Sequence, residues 1–278
     1  MRYIASRMAI APVMIWLISS LVFLLLRVAP GDPVDAILGN RANEAARELL
    51  RSKLGLDQPI INQYLTFLDM LIHGNLGESL NTQEPVIELI SKALPASIEL
   101  GFFSLLFALI IGFIIGFSGI ARPEGKLDLF GRIYGIGTYA LPPFWAAMLI
   151  QIIFAVILGW LPIGGRFPPN LIEPEGTGLL ILDSLVNRDW LSLQGAIRHI
   201  FLPSLTLGLL LSGIFSRSLR LNLEKNLNSD YVEAAKSRGL SKSKLVLKHA
   251  LPNSLLPLLT ITGLTIASLV GGALLIEI

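Results

Sequence analysis

Residues 8–28 make an apolar run of 21 positions whose one charge, Arg27, stands one place from its end. At about 1.5 Å per residue, a helix of that length covers roughly 30 Å, the hydrocarbon thickness of a bilayer. Lipid offers no partner to a backbone N–H or C=O, so such a run satisfies itself as a helix. Comparable runs recur at residues 96–120, 134–160 and 201–215, and from Leu251 to the end of the sequence. Charged residues are 15% of the 278, against about 25% in soluble domains. The chain therefore reads as an all-α integral membrane protein with five visible transmembrane helices. It has no cysteine, which excludes disulfides and thiolate metal sites. Val28-Ala29 leads straight into Pro30 with no small-residue cleavage site, so the first run reads as a retained helix and not a cleaved leader.

The first helix ends at Arg27-Val28-Ala29-Pro30-Gly31-Asp32-Pro33, where two prolines and a glycine forbid continuation. Residues 29–95 then form a large extracytoplasmic segment, with nine acids against five basic residues between Asp32 and Leu94. Helical patterns cover 44–53 and 59–72, followed by a turn at Gly74-Asn75-Leu76-Gly77.

The remainder, residues 96–278, reads as the membrane core. The 96–120 span carries Gly112 and Gly116, a Gly-x-x-x-Gly pair that permits close helix contact, inside the chain or with a partner. A short basic link follows, with Arg122, Lys126 and Arg132. The 134–160 span contains Pro142-Pro143. A proline pair removes two backbone donors, so this helix must kink or open. The kink is a candidate wall of a translocation path or a simple packing feature. Gln151, the main polar side chain of this span, either lines that path or bonds to a neighbouring helix. A second polar segment, 160–198, precedes the fourth span, which is entered at Pro203. The fifth carries the small residues Gly263, Ala267, Ser268, Gly271 and Gly272.

Residues 228–253 are the most charged stretch of this apolar chain and lie between two spans. Asp230 and Glu233 have capping-box spacing, so a helix is expected from Tyr231 to Arg238, with Gly239 just past its end. A second helix is expected from Ser241 to Ala250. A short basic helix held beside the membrane suits docking onto a soluble partner.

Glu233-Ala234-Ala235, Gly239 and His249-x-Leu251-Pro252-Asn253 resemble the EAA loop of the membrane subunits of ATP-binding-cassette importers. The histidine variant resembles the oligopeptide, dipeptide and nickel permease branch. The external segment agrees, with Arg27 to Pro33, Leu54-Gly55-Leu56-Asp57-x-Pro59, Gln63-Tyr64 and Gly74-x-Leu76-Gly77-x-Ser79 in the order that branch shows. The resemblance implies that residues 217–250 form the loop carrying a coupling helix, which docks a cytoplasmic ATPase. Tyr231, Glu233, Ala234, Ala235, Arg238 and Gly239 would make that surface, the two alanines allowing close approach. It also implies a second permease, usually a paralogue, an extracytoplasmic solute-binding protein, and a substrate that is a peptide, nickel or a related small solute. A sixth helix is implied too. The sequence stops at Ile278 inside the fifth run, so a truncated product or a partial coding region is expected.

Charge distribution bears on orientation without using the resemblance. With the N-terminus inside, thirteen Lys and Arg, including Arg2 and Arg7, face the cytoplasm beside five acids. The other nine lie outside among fourteen acids, Glu277 aside. That is the positive-inside pattern of a multi-pass protein in a prokaryotic plasma membrane, and it puts the EAA loop in the cytoplasm.

No catalytic constellation is visible. The chain has no Gly-x-x-x-x-Gly-Lys-Ser/Thr phosphate loop, so ATP and its magnesium are expected on a partner and no cofactor on this chain. His73, His199 and His249 fall in three segments without metal-ligand spacing. Interleaved acids and leucines make the loop a mixed surface, suited to protein and lipid and unlike a nucleic-acid stripe. Two other classes remain open: an ATP-independent channel or carrier, and a non-transporting membrane scaffold.

Overall fold

The computed structural model describes residues 2–28, 34, 38, 43–79, 82–121 and 125–272. The turn at Pro30, Gly31, Asp32 and Pro33, the link residue Arg122, the side chain of Arg2, and Glu277 lie outside the described residues. Among the described residues, four helices are long and apolar enough to cross a membrane, or five when a sharply bent pair counts as one span. The chain divides into two compact units, residues 1–91 and 92–278.

The first unit is organised on α1, Arg2–Val28. Most of its large apolar side chains are exposed, which in a bilayer is contact with lipid. Phe23 is the buried exception. Its ring lies 5.3 Å from both Tyr64 and Phe67 of α3, Ile60–Ile72. The Ser20 and Tyr64 hydroxyls meet at 2.6 Å. Between these helices, α2 (Glu44–Lys53) is capped by Asn43, whose side chain accepts the Ala46 N–H at 2.8 Å. Gln63 donates to the Gln58 carbonyl at 2.8 Å and so fastens the 54–59 turn. Both helices fall where their periodicity puts them.

The second unit is built around one rod. α4 is Val86–Ala121 and belongs to this unit from Lys92. Next come α5, Lys126–Ala140, and α6, Pro143–Gln151, which passes into a π-helical turn at Ile152–Ile157. After α7, Leu180–Val186, the rod α8 runs from Trp190 to Leu227 without a break. α9 is Asp230–Ser237. α10 comprises Lys242–Lys244, a π-helical turn Leu245–Ala250 and an α-helical stretch Leu251–Gly272.

Small residues let the neighbours approach α8 closely. A Cβ added at Gly112 would meet the Phe215 Cβ at 2.6 Å, and one at Gly116 would meet the Ser216 carbonyl at 2.7 Å. The Gly-x-x-x-Gly pair therefore serves packing inside this chain. Ser204, Thr206, Ser212 and Ser216 are buried on α8 and return their hydroxyls to carbonyls three or four residues back. That satisfies polar groups where no water reaches them. The core runs along the rod, from Leu100, Leu207 and Leu269 to Phe215, Leu219, Leu223 and Leu258.

Three sequence expectations change. The 134–160 span is two arms, Lys126–Ala140 and Pro143–Ile157, meeting at 103°. Leu141 and Pro142 both take extended backbone (ψ 126° and 131°), because a residue before proline is pushed out of the helical region. The kink is thus a corner, and the basic link before it is helical from Lys126. The fourth span continues past Arg217 and Arg220 as expected but begins well before 201, at Trp190, with Pro203 inside the helix instead of at its entrance. Finally, the helix expected at 241–250 is not separate from the fifth span. Pro252 offers no N–H, and the ladder just ahead of it widens so that the Leu251 N–H bonds Val246, five residues back.

Candidate functional site

α9 is placed by its two ends and its underside. Ser229 occupies the N-cap position, but its hydroxyl donates to the Asn226 carbonyl at 2.5 Å and makes no cap bond. The Val232 and Glu233 N–H groups bond the Ser229 carbonyl at 3.0 and 3.1 Å. The capping box expected at Asp230 is therefore absent: Asp230 is the first helical residue, one place too late to cap. Asp230 and Glu233 still lie in the first turn, where carboxylates favour the helix dipole. Tyr231 donates to Asn226 Oδ1 at 3.0 Å, while Asn226 Nδ2 donates to Ser254 at 2.9 Å. One asparagine thus ties the end of α8 to α9 and to α10.

The helix stops where expected. Arg238 is the C-cap and Gly239 follows with φ +78°, its N–H on the Lys236 carbonyl at 2.9 Å. A Cβ at Gly239 would meet nothing within 4 Å, so the backbone conformation alone demands glycine there.

Burial divides α9 into two faces. Val232 and Ala235 are 3% and 0% exposed, packed with Leu219 and Leu223 of α8 and Leu245 and Ala250 of α10. Tyr231, Glu233, Ala234 and Arg238 are exposed. The two alanines therefore act differently. Ala234 lies on the open face, whereas Ala235 is used up by the chain's own core and has no surface left for a partner, which corrects its expected place in a docking surface.

A second candidate site lies elsewhere in the same unit. A cavity of about 410 Å³ is bounded by α4, α6, α8 and the 162–166 loop. Gln151 lines it, while Pro142 and Pro143 set the corner that leads into its α6 wall and are not among its lining residues. Gln151 Nε2 donates to the Ile163 carbonyl, so its bond reaches a loop and not a neighbouring helix.

A buried acid supports this loop. Glu99, 7% exposed on α4, accepts the Ile181 N–H on Oε1 at 2.7 Å and Arg166 Nη2 on Oε2 at 3.2 Å. Arg166 also donates to the Gly178 carbonyl. Asp183 closes the adjoining turn, accepting the Thr177 N–H, the Thr177 hydroxyl and the Gly178 N–H at 2.8–2.9 Å. Sequence reading missed this network. Its signal was Glu99, an acid standing near the start of an otherwise apolar run.

A second buried carboxylate also escaped it. Asp128 of α5, 3% exposed, pairs with Arg132 at 2.8 Å and with Arg220 of α8 at 2.9 Å. The Asp128/Arg132 spacing gave the first pair, but only the fold brings in Arg220. No group of three or more potential metal ligands occurs among the described residues. His73 and His199 use Nδ1 on carbonyls four residues back.

Residues 108–278 match the family described as binding-protein-dependent transport system inner membrane component, and residues 1–101 match its N-terminal membrane component. The chain is 35% identical over 278 residues to the di/tripeptide transport system permease protein DppB of Pseudomonas aeruginosa, covering 99% of this chain and 82% of that protein. It is 37% identical over 256 residues to the probable D,D-dipeptide transport system permease protein DdpB of Escherichia coli, covering 92% and 75%. With the oligopeptide transport system permease protein AppB of Bacillus subtilis the identity is 32% over 261 residues, covering 94% and 77%. Together with the helices long enough to span a bilayer, these matches establish that the chain is a multi-pass member of the binding-protein-dependent transport system inner membrane component family.

Proposed function

We propose that this permease forms part of the path of an ATP-driven importer of short peptides and is coupled to a separate cytoplasmic ATPase through α9. The observation that carries the reading is the division of α9: an apolar underside sunk into the core of α8 and α10, and an open face bearing Tyr231, Glu233, Ala234 and Arg238. A helix so anchored cannot be pushed without pushing the spans beneath it. Gly239 ends it sharply, and Ala235 holds it from below. The positive-inside charge pattern supports a cytoplasmic α9 and N-terminus. The relatives' peptide permease names support the substrate class. On this reading the chain works with a second permease and an external solute-binding protein, and nucleotide and magnesium are bound by the ATPase alone.

The test is purification from native membranes in mild detergent, with mass spectrometry of what accompanies the chain. The expected result is a cassette ATPase and a second permease in stable ratio. The chain alone, transporting in liposomes without any ATPase, would overturn the coupling role.

A further inference from the structure

The cavity beside Gln151 is larger than a packing fault and smaller than a channel. At about 410 Å³ it stands near the low end of the roughly 300–1,000 Å³ typical of small-molecule sites. Its walls are mixed. Phe144, Met148 and Ile200 supply apolar surface, while Gln151, Arg166 and His199 supply polar groups. The polar groups are committed in an uneven way. Arg166 uses Nη2 on Glu99 and Gly178; its Nε and Nη1 have no partner among the described residues. His199 uses Nδ1 on the Gly195 carbonyl, and Nε2 has no partner among the described residues. Gln151 spends its amide nitrogen on Ile163 and keeps its oxygen. Each oxygen of Glu99, itself a lining residue, accepts one of these bonds, so the acid positions Arg166 against the cavity.

Donors are therefore left over from Arg166 at a partly apolar cavity, and His199 offers Nε2 as an acceptor because its Nδ1 carries the proton given to the Gly195 carbonyl. We propose that this cavity holds a short peptide by its free carboxylate, Arg166 donating to the carboxylate, His199 Nε2 accepting a peptide N–H and the Phe144–Met148 wall taking a side chain. The inference rests on the importer reading and adds to it a binding site within this chain. Guanidinium donors suit a carboxylate better than a neutral amide, because charge assistance strengthens each bond. The site selects the terminus and not the sequence, since the apolar wall offers contact without directional groups. Its volume excludes a long peptide held whole.

The experiment uses the full transporter in membrane vesicles and the probe Ala-Ala-(p-benzoyl)Phe, photolysed and mapped by mass spectrometry. Labelling is expected on α6 and α8 around Met148 and Ile200. Trialanine should compete at least tenfold better than its C-terminal amide. His199→Ala removes a bond that closes locally within α8, so folding is preserved. In that variant trialanine should compete at least threefold less well while the acid-to-amide preference is kept. Arg166→Lys, which keeps the charge and loses the fork, should reduce that preference at least threefold. ATP-driven uptake of trialanine is measured in the same vesicles. Uptake with labelling elsewhere, or with equal competition by acid and amide, overturns the cavity and leaves the importer intact. No ATP-driven uptake of any peptide overturns the importer reading and this inference with it.

Discussion

Residues 159–189 and 228–241 both connect membrane-length helices, and they are fastened by different physics. The first connection is stitched by directional bonds: Glu99 to Arg166 and Ile181, Asp183 to Thr177 and Gly178, and Asp189 to the first turn of α8. The second has side-chain bonds that are mostly local to it, is tied to its neighbours through Asn226, and sits on apolar contact through Val232 and Ala235. Hydrogen bonds fix a geometry to tenths of an ångström and fail abruptly when displaced. Apolar contact is non-directional and tolerates small sliding. A loop roofing a cavity benefits from the first property, and a helix proposed to pass on a push would benefit from the second.

The largest effect should come from the second connection. Gly239→Asp forces a side chain into a left-handed backbone, at roughly 1–2 kcal/mol, and adds a negative charge at a helix C-terminus. Uptake should fall more than tenfold while the chain inserts at normal levels, as read by vesicle uptake and immunoblotting. Normal coupled uptake would mean that the end of α9 does not matter.

In the first connection, Asp183→Asn replaces an accepting oxygen with a donor facing a Thr177 or Gly178 N–H. An unsatisfied buried group there costs about 1–3 kcal/mol. Amide exchange at Thr177 and Gly178 should quicken while co-purification of the ATPase stays unchanged. A change in ATPase binding would dissolve the contrast between the two regions.

Ala235→Leu and Ala234→Leu sharpen it further. The buried site should lose about 1–3 kcal/mol from overpacking, seen as a lower melting temperature of the purified chain. The exposed site should leave melting unchanged and weaken ATPase capture. Equal effects at the two positions would mean that α9 lacks two distinct faces.

The smallest effect concerns Asp189. Bonds from the Ser192 hydroxyl and N–H, and from the Leu191 N–H, hold its carboxyl below the usual 3.8. A lowered folded pKa stabilises the fold above the unfolded value and is lost as pH falls through the folded one. Exchange at Leu191 and Ser192, corrected for the intrinsic rate, should therefore stay flat down to about pH 4 and rise below 3.8. A rise already at pH 5 would contradict the capping role.

Sequence reading recovered whatever depends on local periodicity: the membrane runs, α2, α3, and the end of α9 at Gly239. It failed where proline acts through its neighbours. Pro142 and Pro143 read as a mid-span kink, yet extended backbone at Leu141 turned the chain by 103°. The stretch from Ser241 to Ala250 read as a helix of its own, yet a π turn at Leu245–Ala250, just ahead of Pro252, joins it to the fifth span. The sites divide similarly. The residues proposed for docking lie within nine consecutive positions and were picked out by the motif, which did not tell that Ala235 faces inward. The cavity gathers Glu99, Gln151, Arg166 and His199 from four separate places. No spacing along the chain announces such a set.

One consequence of α8 remains. His199 at the cavity and Leu223 beneath α9 stand on the same unbroken helix, roughly 36 Å apart at 1.5 Å per residue. A rod of this kind works as a drive shaft: a tilt or rotation applied near Leu223 reaches His199 without any relay of side chains. Its softest point is Pro203, one turn from His199, where the missing N–H lowers bending stiffness. Most of the shaft is stiff, and its compliance is concentrated beside the proposed binding pocket.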